Sequence, residues 1–441
     1  ILIKAGPEFG PERQGTWLRV RKALYGLKSS GAAFRSFLAE HIYNLGFKPS
    51  RADPDCWMRP ATKPNGFEYY EYMLVYVDDI LVASHDPKPI MEGIKLRFEL
   101  KGNKYGEPTD FLGAQLKKRI IYDSESKQSF ECWSMSSQTY VNAAVKNIEE
   151  RLKKGDLPVL KLSKGLTPMS DKYRPEVDMS EELNEELTTY YQELIGILRW
   201  AVEIGRADVL LEVSMMSSQL ANPRIGHLKE VLNIFSYLKR VPKKMLCFNP
   251  AYHIGDERRF MKCDWTDFYG NVEEPIPGDM PVPRGNFVDT TCFVDASHAS
   301  CLKTRRSQTG ILLFVNKAPI TWYSKRQNTV ETSTFSSEFI AMKIAVEMIE
   351  ALRYKLRWFG IPLDGATSIY CDNEAVCNSA RTPESTLKKK HNSIAFHRVR
   401  EFIASGAGRV AWEATLSNLS DLFTKTMGRT KREVLMDRWM Y

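Results

Sequence analysis

Four acidic residues in the last third of the chain have the types and spacing for metal-assisted phosphodiester chemistry: Asp295, Glu338, Asp372 and Asp421. Asp295 ends the apolar run Thr291-Cys292-Phe293-Val294, and Asp372 ends Ile369-Tyr370-Cys371. Glu338 opens a long helical pattern after Thr334-Phe335-Ser336-Ser337, and Asp421 lies at the start of a late helix in Asn418-Leu419-Ser420-Asp421. Singly, an Asp after a strand is also a turn or cap residue, and a Glu in a first helical turn also serves the helix dipole. Together, carboxylates at strand ends and helix starts suggest one shared site. Packed carboxylates repel and hold their protons more tightly unless a cation neutralises them. Hard cations such as Mg²⁺ take oxygen ligands, and two of them can clamp the attacking and leaving oxygens of a phosphodiester.

The elements that must position these groups read as strand 290–295, strand 308–316, strand 319–326, helix 336–358, strand 367–372, helix 374–380, helix 392–405, strand 408–415 and helix 418–426. That order predicts one mixed sheet covered by helices. In the long helix, Glu338 shares a stripe with Met342, Ala345, Ile349, Leu352 and Leu356. An apolar stripe at this period faces the sheet, so Glu338 is expected to point inward, toward the strands that carry Asp295 and Asp372.

A second acidic motif lies far upstream. Met73-Leu74-Val75-Tyr76-Val77-Asp78-Asp79-Ile80-Leu81-Val82-Ala83 reads as two strands joined by a tight turn at the Asp pair. Asp also simply favours turns. The flanks are apolar on both faces, so the hairpin is expected to be deeply buried, a costly place for adjacent charges without a metal. Between the two acidic regions, residues 127–154 read as a basic helix with Lys146, Arg151, Lys153 and Lys154. Helical stretches follow around residues 190–200, 206–209 and 227–239. Pro275, Pro277, Pro281 and Pro283 mark an extended connector.

A chain of 441 residues exceeds one ordinary core. The expected division is 1–120, 121–262, a Pro-rich linker over 263–289, and 290–441. Hydrophobic residues make up 43% and charged residues 26%, which excludes wholesale disorder. The net charge of +8 is compatible with a polyanionic partner. The eight cysteines contain no C-x-x-C pair, so neither a zinc knuckle nor a disulfide framework is indicated. No long apolar run suggests a membrane partner.

Tyr76-Val77-Asp78-Asp79 resembles the catalytic hairpin of reverse transcriptases, and Lys22-Ala23-Leu24-Tyr25-Gly26-Leu27-Lys28 resembles the template–primer and nucleotide-contacting stretch of copia-type retrotransposon polymerases. Leu45-Gly46-Phe47, Ala52-Asp53-Pro54 and Phe111-Leu112-Gly113 follow in that family's order. Downstream, Phe293-Val294-Asp295-Ala296, Arg306-Ser307-Gln308-Thr309-Gly310, Trp322-Tyr323-Ser324-Lys325-Arg326-Gln327, Ser336-Ser337-Glu338-Phe339, Cys371-Asp372-Asn373 and Asp421-Leu422-Phe423-Thr424-Lys425 are similar to its ribonuclease H region.

The resemblance implies an α/β and α+β multidomain chain. Its parts are a partial polymerase palm and fingers, a helical thumb and connection, and a ribonuclease H-like mixed sheet with flanking helices. It implies two Mg²⁺ ions per active site, with Asp295, Glu338, Asp372 and Asp421 as ligands for cutting RNA in an RNA–DNA hybrid, and Asp78 and Asp79 as ligands in the polymerase. Lys28 would contact nucleic acid. Arg305 and Arg306 would hold a phosphate, and Ser324, Lys325, Arg326, Gln327 and Asn373 would line the hybrid's minor groove, where 2′-hydroxyls mark RNA. Lys388, Lys389, Lys390 and His391 would lie where product phosphate leaves, with His391 in a catalytic role.

The implied partners are an RNA template, a DNA primer, RNA–DNA hybrid, deoxynucleotides and upstream polyprotein segments. The implied locations are the cytoplasm, a virus-like particle or the nucleus. Two departures stand out. Ser29-Ser30-Gly31-Ala32-Ala33-Phe34 replaces the family's usual polar contact. The acidic residues before Asp78 are Glu8, Glu12, Glu40, Asp53, Asp55, Glu68 and Glu71, and none sits where the polymerase's third carboxylate belongs. The expectation is that the chain starts after that strand and that its polymerase is incomplete. A decayed, non-catalytic nucleic-acid-binding remnant is the alternative. The acidic order Asp–Glu–Asp–Asp disfavours an integrase-like transferase.

Overall fold

The computed structural model describes residues 2–21, 26–100, 102, 105–155, 162–253, 255–387 and 392–441. Two compact units are present. The first is Ile1–Glu107 with Pro281–Gly285 and Trp358–Gly360, and the second is Pro108–Met280 with Asn286–Arg357 and Ile361–Tyr441. No helix among the described residues is long and apolar enough to cross a membrane.

In the first unit, β1 (Leu2–Lys4) and β2 (Trp17–Arg19) form an antiparallel ribbon. Helix α1 (Ser30–Asn44) precedes a sheet of β3 (Lys48–Pro49), β4 (Cys56–Thr62), β5 (Glu68–Tyr76) and β6 (Asp79–Ala83), in that spatial order, and α2 (Lys88–Lys95) follows. Leu38 and Ile42 of α1 and Ile90 and Ile94 of α2 pack with Phe47, Trp57, Met73 and Val75. The β5–β6 hairpin forms as expected, with Tyr76 opposite Asp79. Its expected deep burial is corrected: Tyr76 is 53% and Val77 68% exposed, and Asp78 and Asp79 are exposed. Side chains alternate along a strand, and on β5 only Glu71, Met73 and Val75 are buried. One covered face therefore suffices for this sheet, and apolar residues on both faces do not imply two.

The second unit opens with β7 (Asp110–Phe111), β8 (Ala114–Asp123) and β9 (Gln128–Ser136), which pair with the later β10 (Leu246–Cys247) in the order β10-β9-β8-β7. The helix expected over 127–154 is thus half strand. Gln128–Ser136 pairs residue by residue with β8, and only Gln138–Lys154 is helical, as α3. Helices α4 (Glu185–Glu203), α5 (Leu210–Ser217) and α6 (Ile225–Arg240) bury one apolar core with α3, around Tyr191, Leu198, Leu232 and Phe235. A short helix, α7 (Thr266–Tyr269), leads into the proline-rich stretch. That stretch is docked: Glu274 accepts from Arg353 (2.9 and 2.8 Å) and Arg357 (2.6 and 2.6 Å), which holds Glu274 at about 2, far below the usual Glu range, despite its burial.

The remaining elements are β11 (Thr290–Ser297), β12 (Gln308–Val315), β13 (Ala318–Arg326), α8 (Thr334–Trp358), β14 (Thr367–Cys371), α9 (Glu374–Arg381), α10 (Ser393–Ala404), β15 (Gly408–Trp412) and α11 (Arg429–Met436). The five strands form one mixed sheet in the order β13-β12-β11-β14-β15. The pairs β11–β12 and β12–β13 are antiparallel, and β11–β14 and β14–β15 are parallel. Parallel neighbours need long crossovers, which α8 and the α9–α10 pair supply.

Both faces of this sheet are buried. Cys292, Val294 and Ala296 pack with Phe339, Met342, Ala345 and Ile349 of α8. Phe293, Leu312 and Phe314 pack on the other face with Phe423, Leu435 and Met436, with Ala207 from the preceding helical region and with Leu246 of β10. A strand covered on both faces carries a continuous apolar run, as residues 291–294 do. The late helix expected over 418–426 is instead a 3-10 turn at Leu419–Phe423.

Candidate metal centre

Three local features bring the last carboxylate to the first. Asn418 is fully buried. Its Oδ1 accepts from the Ser420 N–H (3.2 Å) and hydroxyl (2.6 Å), and its Nδ2 donates to the Val294 carbonyl (3.0 Å). The side chain thereby caps the 3-10 turn and ties it to β11. Gly310 sits opposite Asp295 in the β11–β12 register. A Cβ there would lie 2.7 Å from Thr424 Cγ2 and 2.8 Å from the Ser420 carbonyl oxygen, so only glycine lets the turn approach the sheet this closely. The Thr424 hydroxyl then donates to Asp295 Oδ2.

Asp295, Asp372 and Asp421 each offer an oxygen within 4.8 Å of the other two, and Glu338, Asp372 and the Cys371 thiol form a second such group. Asp372 belongs to both. Asp295 and Asp421 are fully buried and Glu338 is 3% exposed; Asp372 is half-buried. The inward direction expected for Glu338 is the one observed. Its Oε2 is buried with no hydrogen-bond partner. An orphaned carboxylate oxygen beside a half-open carboxylate is a fit for a cation, because unpaired buried charge is costly.

The electrostatics agree. Burial, with repulsion from Asp421 and Asp372, pushes Asp295 up to about 7 against the opposing pull of Lys425 and Thr424. Burial, then Asp295 and Asp372, raise Glu338 well above the usual range. Two ammonium groups offset part of this charge. Lys425 Nζ lies 2.7 Å from Asp421 Oδ1 and 3.3 Å from Asp295 Oδ2, and Lys431 Nζ lies 2.6 Å from Asp421 Oδ2. Burial opposes the charge on Lys425, but Asp295 and Asp421 outweigh it and raise Lys425 above its ordinary value.

The other sequence-selected residues divide into four groups. Arg305, Arg306 and Lys325 are exposed, and Arg326 and Asn373 are half-buried; Asn373 Oδ1 also caps α9 by accepting from the Val376 N–H at 3.2 Å. Ser324 and Gln327 differ from expectation because both are buried. Ser324 Oγ donates to the Phe423 carbonyl (2.6 Å) and accepts from Gln308 (2.9 Å). Gln327 Nε2 donates to the Ser337 carbonyl (2.8 Å) and Thr309 Oγ1 (3.0 Å). These bonds hold the 3-10 turn and the start of α8 in place, so both residues position the carboxylates. Lys388, Lys389, Lys390 and His391 lie outside the described residues. Lys28, Asp78 and Asp79 are exposed residues of the first unit. Val77, beside that Asp pair, has φ 56°, a conformation that strains a β-branched residue.

Lys425 and Lys431 are not singled out by residue type. Lys425 carries a usable signal, four residues after Asp421. Lys431 carries none, because only the packing of α11 against the 3-10 turn brings it near.

No protein-family model matches the chain. It is 26% identical over 417 residues to the retrovirus-related Pol polyprotein from transposon RE1 of Arabidopsis thaliana, covering 93% of this chain and 24% of that protein. To the corresponding polyprotein from transposon TNT 1-94 of Nicotiana tabacum it is 25% identical over 427 residues, covering 94% and 27%. Among solved structures, LC11-RNase H1 in complex with RNA/DNA hybrid covers 31% of this chain and 94% of its own, at 13% identity and a TM-score of 0.26. The chain is a homologue of transposon Pol polyproteins along nearly its whole length. It spans about a quarter of the length of those relatives.

Proposed function

We propose that this chain is the reverse transcriptase–ribonuclease H portion of a copia-type retrotransposon polyprotein, and that its second unit cuts the RNA strand of RNA–DNA hybrids with two Mg²⁺ ions. The observation that carries this reading is the position of Asp372, common to one carboxylate group with Asp295 and Asp421 and to another with Glu338. Asp295, Asp372 and Asp421 would hold one ion, and Glu338 and Asp372 would help to hold the other. When bound, such ions lower the pKa of a water nucleophile and stabilise charge on the leaving oxygen. The chain's own residues fix the geometry around them: Asn418 and Gly310 set Asp421, Thr424 orients Asp295, and Gln327 anchors the start of α8 beside Glu338. Arg305, Arg306, Lys325 and Arg326 would track the hybrid's phosphates, with Asn373 beside the reacting strand. His391 and Lys388, Lys389 and Lys390 are proposed for product departure.

In the first unit, the strained Val77 beside Asp78 and Asp79 supports a second metal site, since strain of this kind gathers at functional positions. Lys28 would contact template or primer. We propose this polymerase site to be incomplete, with RNA template, DNA primer and deoxynucleotides as its original partners, and with the functional parts divided at 1–120, 121–262, 263–289 and 290–441.

The test is cleavage of a labelled RNA–DNA hybrid by the chain in Mg²⁺, with EDTA and Asp372→Asn controls. RNA-strand cutting that needs both the metal and Asp372 is expected. Hybrid binding without cutting would replace the nuclease with a non-catalytic binding module.

A further inference from the structure

Lys431 stands out among the groups around the carboxylates. Its ammonium lies 2.6 Å from Asp421 Oδ2, while Lys425 takes Oδ1 of the same carboxylate at 2.7 Å. Asp421 is fully buried, and each of its two oxygens meets a cation of the protein. Lys431 is also fixed in place. The next residue, Arg432, is 1% exposed and donates to Glu212 Oε1 at 2.9 Å and to the Asp208 carbonyl. Glu212 and Asp208 are themselves buried, and Asp208 is held by Arg206 through two 2.8 Å bonds. Helix α11 is therefore pinned by its buried face to the helical region, and the residue beside that pin reaches the carboxylate.

We propose that Lys431 is a built-in competitor for the cation at Asp421. This rests on the metal-dependent reading above. A metal ligated by Asp421 must share an oxygen with an ammonium or displace it, and two cations at such distances repel in a partly buried site. The metal on this side of the centre is thereby bound more loosely than its carboxylates alone would bind it. The Glu212–Arg432 anchor makes the helical region set the position of Lys431 and, with it, the affinity of the site. A loosely held ion exchanges readily, which suits a site that must release a phosphate-bearing product at each turnover.

The test is a calorimetric titration of the full chain with Mn²⁺ and with Mg²⁺, without nucleic acid, for the wild type, Lys431→Met and Lys431→Arg. The expected result is metal binding at least fivefold tighter in Lys431→Met and within twofold of wild type in Lys431→Arg. Unchanged or weaker binding in a Lys431→Met chain whose melting temperature is retained would overturn the proposal. A Lys431→Met chain that melts early is replaced by Lys431→Gln under the same criterion. Absence of metal binding in every variant would overturn this proposal together with the metal-dependent reading. A wild-type chain that binds metal but cuts no hybrid would overturn the nuclease alone, because the titration needs no substrate.

Discussion

Gly310 and Thr424 meet so closely that a Cβ on Gly310 would sit 2.7 Å from Thr424 Cγ2. This contact seats the turn bearing Asp421 on the strand opposite Asp295. Gly310→Ala is therefore expected to lift the turn, at a cost of roughly 1–3 kcal/mol in stability. Hybrid cleavage should fall more steeply than stability does. Denaturant melts and single-turnover cleavage measured side by side will separate the two effects, and a Gly310→Ala chain that cuts at the wild-type rate would show that the turn can relax.

Asp295→Asn should separate stability from activity. The change removes a buried charge that its neighbours Asp421 and Asp372 oppose. In the metal-free protein at pH 8 the variant is expected to melt at or above the wild-type temperature. Its Mg²⁺-dependent cleavage is expected to drop by at least two orders of magnitude, as is usual when preorganised charge stabilisation is lost. Both readouts come from the same preparation.

The dependence on pH has a definite sign. Asp295 is raised from 3.8 to about 7, and Glu338 is raised as well. A carboxyl whose folded pKa is raised contributes stability that is fully present below its unfolded pKa and lost as pH rises through the folded one. The metal-free chain should therefore lose stability between about pH 4 and pH 7 on account of these groups. Metal present at ~100 times its dissociation constant should restore about 2.7 kcal/mol, or roughly 3–4 °C in melting temperature for a unit of this size. At one fixed metal concentration the gain should be larger at pH 8 than at pH 5.5, because the raised carboxyls must lose their protons before they bind. Scanning calorimetry with and without Mg²⁺ at the two pH values tests it, and equal gains would contradict the assignment of the raised groups to the metal centre.

The Glu212–Arg432 pair is fully buried. Arg432→Met leaves Glu212 without its cation, and such losses typically cost about 3–5 kcal/mol. Burial already raises Glu212 even with its partner present, so the loss should be smaller at pH 5 than at pH 8, where protonation no longer relieves it. Chemical denaturation at the two pH values measures the difference.

Asp78→Asn and Asp79→Asn lie in the first unit, whereas the four carboxylates belong to the second. Each should leave hybrid cleavage within about twofold of wild type, in the range of surface substitutions. The unaltered chain should show no templated DNA synthesis in a primer-extension assay. Synthesis that depends on Asp78 would mean that the polymerase site is complete after all.

Periodicity makes much of the sheet and its site legible in the sequence. The strands at 290–297 and 367–371 stand out as continuous apolar runs because both of their faces are covered, and each run ends on or beside an Asp. Glu338 can be aimed inward because Met342, Ala345 and Ile349 recur at helical spacing on its face. Other features depend on what packs from outside a segment. Gln128–Ser136 reads as helix because basic residues further along draw the boundary too early. The turn between Tyr76 and Asp79 reads as buried because strand composition does not reveal whether a second layer exists. Ser324 and Gln327 are polar and look available, yet Ser324 is taken up by Phe423, from a distant segment, and Gln327 by Ser337, at the start of the next helix. Lys431 is invisible because its proximity to Asp421 depends on how α11 packs against the 3-10 turn.

The second face of the five-stranded sheet has an evolutionary consequence. Trp322 of β13 packs against both the core of the helical region and the core beneath α11, and Ser214 of α5 donates to the Ser324 carbonyl at 2.8 Å. The helices and the sheet are thus not beads that recombination can exchange freely. A chimera joined between residue 247 and residue 290 would set one lineage's helices against another lineage's sheet, with mismatched shape at Trp322 and an unmatched charge at Arg432. A working exchange would therefore have to carry the partners of Trp322 and Arg432 across the junction together.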